Sequence, residues 1–196
     1  MQSAITLKGS TKIVTEFFDY AINSILYQRG IYPSEDFEQK KKYGLALMVT
    51  KDAGVRQYLN KVLSQIQSWL MSGDIQKLVV AIIDIDSNDT KERWNFDIQM
   101  DMEAAATGSE KPQQEIVNEI RTIIRQITSS VTYLPLLEGR CTFDILIYAN
   151  NQAPIPTKWE ESGARLIENS DQVRLYSFST NIHKVDSLVS YQAETM

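Results

Sequence analysis

The sequence is short of the residues that most catalytic and metal sites need. Among 196 residues there is one cysteine, Cys141, and one histidine, His183. A lone cysteine cannot form an internal disulfide, so the chain reads as one that folds in a reducing compartment. One Cys and one His cannot close a zinc site without an unusual set of carboxylates. Glycine and proline are scarce, 8 and 5, which excludes low-complexity disorder as the dominant state. The longest wholly apolar run, Leu78 to Ile83, is far too short to span a bilayer, and Met1 to Lys8 lacks the apolar stretch of a secretory leader. The net charge is −5 and the pI near 5.0. Coating nucleic acid needs a basic surface, so neither nucleic acid nor membrane is expected as a partner.

Enzyme motifs are missing as well. No phosphate-cradling glycine loop is present. His183 and Cys141 both fall inside β-like segments, with no sharp turn to expose and activate a thiol, so a packed cysteine and an edge-strand histidine are expected. Asp84 and Asp86 alternate on one strand face and offer two carboxylates to a cation. The plainer reading is a solvated strand end entering the polar turn Ser87–Thr90. Lys40, Lys41 and Lys42 stand beside Glu35, Asp36 and Glu38, which cancel most of their field, and read as a solvated loop.

What is present is strong periodicity. From about Ser10 to Arg29, apolar pairs recur every four residues, at Ile13/Val14, Phe17/Phe18, Ala21/Ile22 and Ile25/Leu26, which predicts a long helix capped by Ser10 or Thr11. About 20 residues span roughly 30 Å, enough to cross a domain. Tyr43 to Thr50 reads as a short strand and Ala53 to Ser72 as a second helix, ended by Gly73. The continuous β-branched run Leu78–Ile83 suits a strand buried on both faces. Glu92 to Asp101 alternates and pairs with it as an antiparallel hairpin. Glu103 to Gln113 reads as a mobile loop. A third helix is expected over about Gln114–Thr132, with Ile116, Ile120, Ile123, Ile127 and Val131 inward and Ile124 beside the outward Arg121 and Arg125. A strand over Arg140–Ala149 follows, then a different stretch, Asn150 to Met196, with two candidate strands, Val173–Thr180 and Lys184–Tyr191.

Several segments resemble HORMA-domain proteins. They are Phe17–Phe18 with Ile22 to Pro33, Gln76 to Val80, Glu92 to Phe96, Ile124 to Thr128 with Thr132 to Pro135, Lys158–Trp159, and Ser177 to Thr180. The resemblance runs almost end to end and is nearest to the spindle-checkpoint branch. It implies an α+β fold in which three helices pack on a largely antiparallel sheet, as one domain over 1–196. The core would be about 1–149 and a remodelling C-terminal safety belt about 150–196. It implies a non-enzymatic switch without cofactor or metal. The belt would close over an extended peptide added to the sheet edge at about 140–149, with Phe143, Ile145, Ile147, Tyr148 and Trp159 at the peptide site. The implied partners are the activator of the anaphase-promoting complex, a kinetochore coiled-coil receptor, a kinase-like checkpoint subunit, and a remodelling AAA+ ATPase with its HORMA adaptor. A second copy would pair through Arg125, Gln126 and Tyr133, and Glu92 would pair with Arg174 when the belt closes. The implied locations are nucleus, kinetochore and cytoplasm. The other readings are a HORMA subunit of a translesion polymerase or meiotic axis, or an unrecognised enzyme.

Overall fold

The computed structural model describes residues 3–194, so the first and last two residues of the expected domain lie outside it. The first helix, α1, spans Leu7–Gln28. It begins a turn earlier than its apolar pattern suggests. Thr6 is the cap, its hydroxyl accepting the Gly9 N–H at 3.1 Å, because Ser10 and Thr11 are buried and bonded elsewhere. Val14, Phe17, Phe18, Ala21, Ile22, Ile25 and Leu26 are wholly buried. The helix therefore runs through the molecule and not over its surface.

Strands β1 (Phe37–Lys42) and β2 (Leu45–Thr50) form a two-stranded hairpin. The lysine run read as a loop is thus β1. Tyr43 and Gly44, both at positive φ, make the two-residue turn, which matches the twist of paired strands. Helix α2 (Ala53–Ser72) starts on the Asp52 carboxylate and ends at left-handed Gly73.

The main sheet holds β3 (Ile75–Asp84), β4 (Thr90–Met100), β5 (Cys141–Ala149), β6 (Ser170–Ser179) and β7 (His183–Gln192) in the order β5-β3-β4-β7-β6, antiparallel throughout. The interior strand β3, between β5 and β4, is buried on both faces from Leu78 to Ile83, as its unbroken apolar run predicts. The stretch read as a mobile loop contains a short helix, α3 (Met102–Thr107), capped by Asp101, and Ser109 pairs with Ile5. Helix α4 (Gln113–Thr128) stops four residues short of expectation and passes into a 3₁₀ turn. The break turns Val131 outward, and within the helix Ile124 also departs from expectation. Val131 is 58% exposed, whereas Ile124 is buried among the core residues.

Helices α1, α2 and α4 cover one face of the sheet. Phe17 is the joint of that layer. Its ring lies edge-on to Phe96 of β4 at 5.9 Å and to Phe178 of β6 at 4.7 Å, and is tilted against Phe18 at 5.6 Å. The C-terminal hairpin is therefore part of the core, contributing buried Phe178, Ile182, Val185 and Val189. Replacing Phe17 by Ala removes the contact shared by α1, β4 and β6. It should lower the unfolding free energy by about 3–5 kcal/mol, measured by urea denaturation followed by circular dichroism.

Candidate functional site: an open strand edge under a tethered strap

The two edges of the main sheet are unlike. Strand β5 is paired on one side only, with β3. Among the described residues, its other side leaves main-chain N–H and C=O groups without a strand partner. Phe143, Ile145 and Ile147 share the helix-facing side with Leu78, Val80 and Ile82, to which they are register neighbours, while Tyr148 faces the other way. The β6–β7 hairpin lies at the far side of the sheet, where β7 pairs with β4.

Residues 150–169 must therefore run from one side of the sheet to the other, and they do so as a strap fastened at both ends. At the start, the Asn150 N–H donates to the Asp74 carbonyl at 2.8 Å and Gln76 Nε2 donates to Asn150 Oδ1 at 2.6 Å. Trp69 of α2 donates its ring N–H to the Pro154 carbonyl at 3.3 Å, and Trp159 meets the Trp69 ring edge-on at 5.2 Å. At the far end, Arg165 Nη1 donates to Asn88 Oδ1 in the β3–β4 turn at 3.2 Å, and the Ala193 N–H donates to the Asn169 carbonyl at 3.0 Å.

Between strap and strand lies a cleft of about 520 Å³. Ile145, Ile147 and Tyr148 line it from β5, Trp69 from α2, and Trp159 with the segment 160–164 from the strap. Of the five residues expected at a peptide site, Phe143 is the one placed outside the cleft. It packs against Tyr58 at 5.8 Å and Tyr32 at 6.2 Å, beyond the cleft's end. Tyr148 is braced by Arg93, whose Nη2 donates to the phenol oxygen at 3.2 Å, and by the Lys77 ammonium 5.3 Å from its ring. Trp69 lies on the buried face of α2. Its ring is buried, but its one polar atom holds the strap, a role periodicity does not reveal.

The residues expected at a self-association surface sit together at the end of α4. Arg125 is exposed. Gln126 Oε1 accepts the Tyr176 N–H at 2.9 Å, at the bulge of β6 between Arg174 and Ser177. The Tyr133 phenol donates to the Gln126 carbonyl at 2.6 Å, and burial pushes that phenol up to about 12, against the opposing pull of Arg29.

The expected Glu92–Arg174 pair does not form. Glu92 sits opposite Tyr191 on the helix-facing side of the sheet, whereas Arg174 sits opposite Leu188 on the other side and is exposed. Glu92 pairs instead with Arg29, at the end of α1. Its Oε1 accepts from Arg29 Nε at 2.8 Å and from Nη2 at 2.6 Å, and its Oε2 accepts the Trp94 ring N–H at 3.1 Å. Arg29 Nη2 also donates to the Pro135 carbonyl at 2.6 Å. Both charges are buried, Glu92 at 1% and Arg29 at 8% exposure.

Among the described residues no group of three or more His, Cys, Asp or Glu side chains is arranged to hold a metal. Asp84 caps its own turn, its carboxylate accepting the Asp86 and Ser87 N–H groups at 2.9 Å each. The Ser87 contact chiefly holds it below the usual carboxylate range. Burial pushes the Cys141 thiol up, away from the thiolate form a nucleophile uses.

A strand edge left open beneath a strap is the geometry the resemblance leads one to expect. The HORMA domain model matches residues 10–186. The chain belongs to the HORMA domain family. It is 54% identical over 189 residues to the mitotic spindle assembly checkpoint protein MAD2A of Dictyostelium discoideum, covering 96% of this chain and 93% of that one. Identity to MAD2A of Homo sapiens is also 54%, over 193 residues, covering 97% and 94%. Among solved structures, a chain in the mitotic checkpoint complex superimposes with a TM-score of 0.86 at 43% identity, covering 94% of this chain and 99% of that one.

The buried pair gives a direct test. Arg29→Met strands the Glu92 carboxylate in the core and should destabilise the protein by about 3–5 kcal/mol. Arg29→Met with Glu92→Met, which removes both charges, should cost less than Arg29→Met alone. Urea midpoints of the three proteins report it. Arg174→Glu should leave the unfolding free energy within about 0.5 kcal/mol of the original, as for an exposed surface change.

Proposed function

We propose that the chain is a spindle-assembly-checkpoint adaptor that clasps an extended peptide between β5 and the 150–169 strap. One observation carries this reading: the β5 edge is unpaired, and a strap anchored at both ends closes a cleft along it. A peptide laid there gains main-chain hydrogen bonds from β5, while the side-chain pockets on either side select its sequence. The strap makes the contact an enclosure, and it is the belt hairpin's seat on β4 that leaves the edge clear. This strand order is accordingly the closed arrangement. In the open one, β6 and β7 leave β4.

The close identity to checkpoint proteins over nearly the whole chain supports an adaptor without enzymatic activity. On this reading residues 1–196 form one domain, with the belt from about Asn150 onward. The peptide belongs to the activator of the anaphase-promoting complex or to a kinetochore coiled-coil receptor. Capture of the activator, together with a kinase-like checkpoint subunit, delays anaphase. An AAA+ ATPase acting through a HORMA adaptor reopens the belt. The protein works at the kinetochore and passes between nucleus and cytoplasm. Two copies meet through Arg125, Gln126 and Tyr133.

Peptides tiled across the activator and across the coiled-coil receptor, titrated by fluorescence anisotropy, test the clasp. One tile should bind the full-length protein, and Trp159→Ala, which loosens the strap from Trp69, should weaken it about 30-fold, the loss typical of an aromatic anchor. Absence of any binding tile, or an unchanged affinity in Trp159→Ala, would refute it. Self-association has a separate measure. Arg125→Ala should sediment as a monomer while binding the same tile as tightly as the parent.

A further inference from the structure

The tip of the β6–β7 hairpin is held by a buried chain of polar groups that the peptide cleft does not use. The His183 ring is 1% exposed, and Ser10 and Thr180 are fully buried. His183 Nε2 lies 3.0 Å from the Leu70 carbonyl at the end of α2. A carbonyl can only accept, so Nε2 carries the hydrogen. Nδ1 is then an acceptor, and it lies 2.7 Å from the Ser10 hydroxyl of α1. Ser10 donates to Nδ1 and accepts from the Thr180 hydroxyl at 2.6 Å. Thr180 Oγ1 in turn accepts the main-chain N–H groups of Ile182 and His183, at 3.1 and 2.9 Å. Every heteroatom of the imidazole is thus satisfied in its neutral Nε2–H form, and the chain of bonds joins α1, α2 and the hairpin turn.

The ring belongs to β7 while Ser10 and Leu70 belong to the body. In this strand order His183 sits opposite Met100 on β4. Lifting β7 from β4 breaks both ring hydrogen bonds and releases the imidazole to water. The charged groups nearby are all otherwise engaged. From the α4 side, Glu119 accepts the Ser179 N–H and Lys111 donates to the Ser179 carbonyl while pairing with Glu119. Lys184 pairs with Asp186 on β7. Asp101, between β4 and α3, accepts the Ala104 N–H. Lys8 and Lys12 on α1 are exposed. Among the described residues no carboxylate meets the ring, so a proton on Nδ1 would find no counter-charge, and the Ser10 hydroxyl could accept it only by turning its own hydrogen onto Thr180, whose hydroxyl is then left with the long 3.4 Å contact to the His183 carbonyl.

We propose that His183, Ser10 and Thr180 form a latch that fastens the belt hairpin to α1 and α2, and so holds β7 on β4, only while His183 is neutral, so that a proton taken up by His183 shifts the protein toward the open arrangement. The latch presupposes the two arrangements of the preceding section but not the identity of any peptide. Burial lowers the ring's basicity in the latched state, with the Leu70 carbonyl opposing. The sign follows from linkage. The latched state binds the proton less well than a solvated ring, so its advantage is complete above the ordinary value of 6.5 and is lost as pH falls below it.

Because His183 is the sole histidine of the chain, its ring nitrogens can be followed in the full-length, peptide-free protein by ¹⁵N NMR from pH 7.5 to 5.5. The closed conformer should show Nε2–H with an unprotonated Nδ1 and should titrate below 6.5, and the open conformer near 6.5. The closed-to-open ratio, from NMR or ion exchange, should fall by up to about tenfold per pH unit within that window. His183→Gln should flatten this dependence, and Ser10→Ala should lower the closed fraction at pH 7.5 by about fivefold or more, for loss of the donor to a buried nitrogen. A closed conformer whose ring carries Nδ1–H or titrates at or above 6.5 would overturn the latch. So would a conformer ratio that does not move with pH, or moves equally in His183→Gln. None of these results bears on peptide capture, which the anisotropy titration decides separately.

Discussion

A sheet has two edges, and one C-terminal hairpin can cover only one of them. In this structure β7 is paired to β4, so β5 is left with an open side. Everything distinctive in the molecule follows from that allocation. The linker to β6 must pass along the open side of β5, its start is pinned by Trp69, and the tip of the hairpin comes to rest against α1. An exposed strand edge is an aggregation hazard that proteins ordinarily cover. Here the cover is a strap standing off from the edge, which shields it while leaving space beside the strand.

The body that tolerates this arrangement is unusually well tied. Helix α1 is buried along most of its length and is secured at both ends by polar contacts. Ser10 meets the belt near its start, and Arg29 meets Glu92 just beyond its end. In the middle, Asn23 accepts the Thr50 N–H and donates to Asp19, tying the β1–β2 hairpin to the helix. Buried polar groups of this kind add little stability over apolar replacements, but each must be matched in place. They fix the rotation and depth of α1, against which the strands of the sheet are then set.

Much of this was legible in the residues. The four-residue spacing of apolar pairs marks α1, and the unbroken run at Leu78–Ile83 marks a strand covered on both faces. Ile145, Ile147, Tyr148 and Trp159, the residues the family likeness points to, stand around one cleft. What escaped was what periodicity does not encode. Arg29 and Glu92 are 63 positions apart, and nothing local distinguishes them from surface charges. Family likeness sets Arg174 against Glu92, yet strand register puts the two on opposite faces of the sheet. Ser10 reads as a helix cap because serine favours that position, whereas its hydroxyl is committed to a histidine 173 residues away. The β1 strand was hidden by its three lysines, whose charge suits a solvent-facing edge as well as it suits a loop.

The strap has a consequence for kinetics. Its two ends are fixed to the body, so with the β5 edge it forms a closed hoop around whatever lies in the cleft. A short free peptide can slide out lengthwise, but a segment flanked by folded domains or coiled coils cannot, because the flanks are wider than the hoop. Such a ligand is held as a threaded rod is held by a ring. Its residence time is then set less by the strength of its contacts than by how often the hoop comes undone, and a tenfold better side-chain fit need not lengthen it. The same hoop resists entry, so without a way to unfasten the strap this arrangement would capture an internal segment as slowly as it releases one.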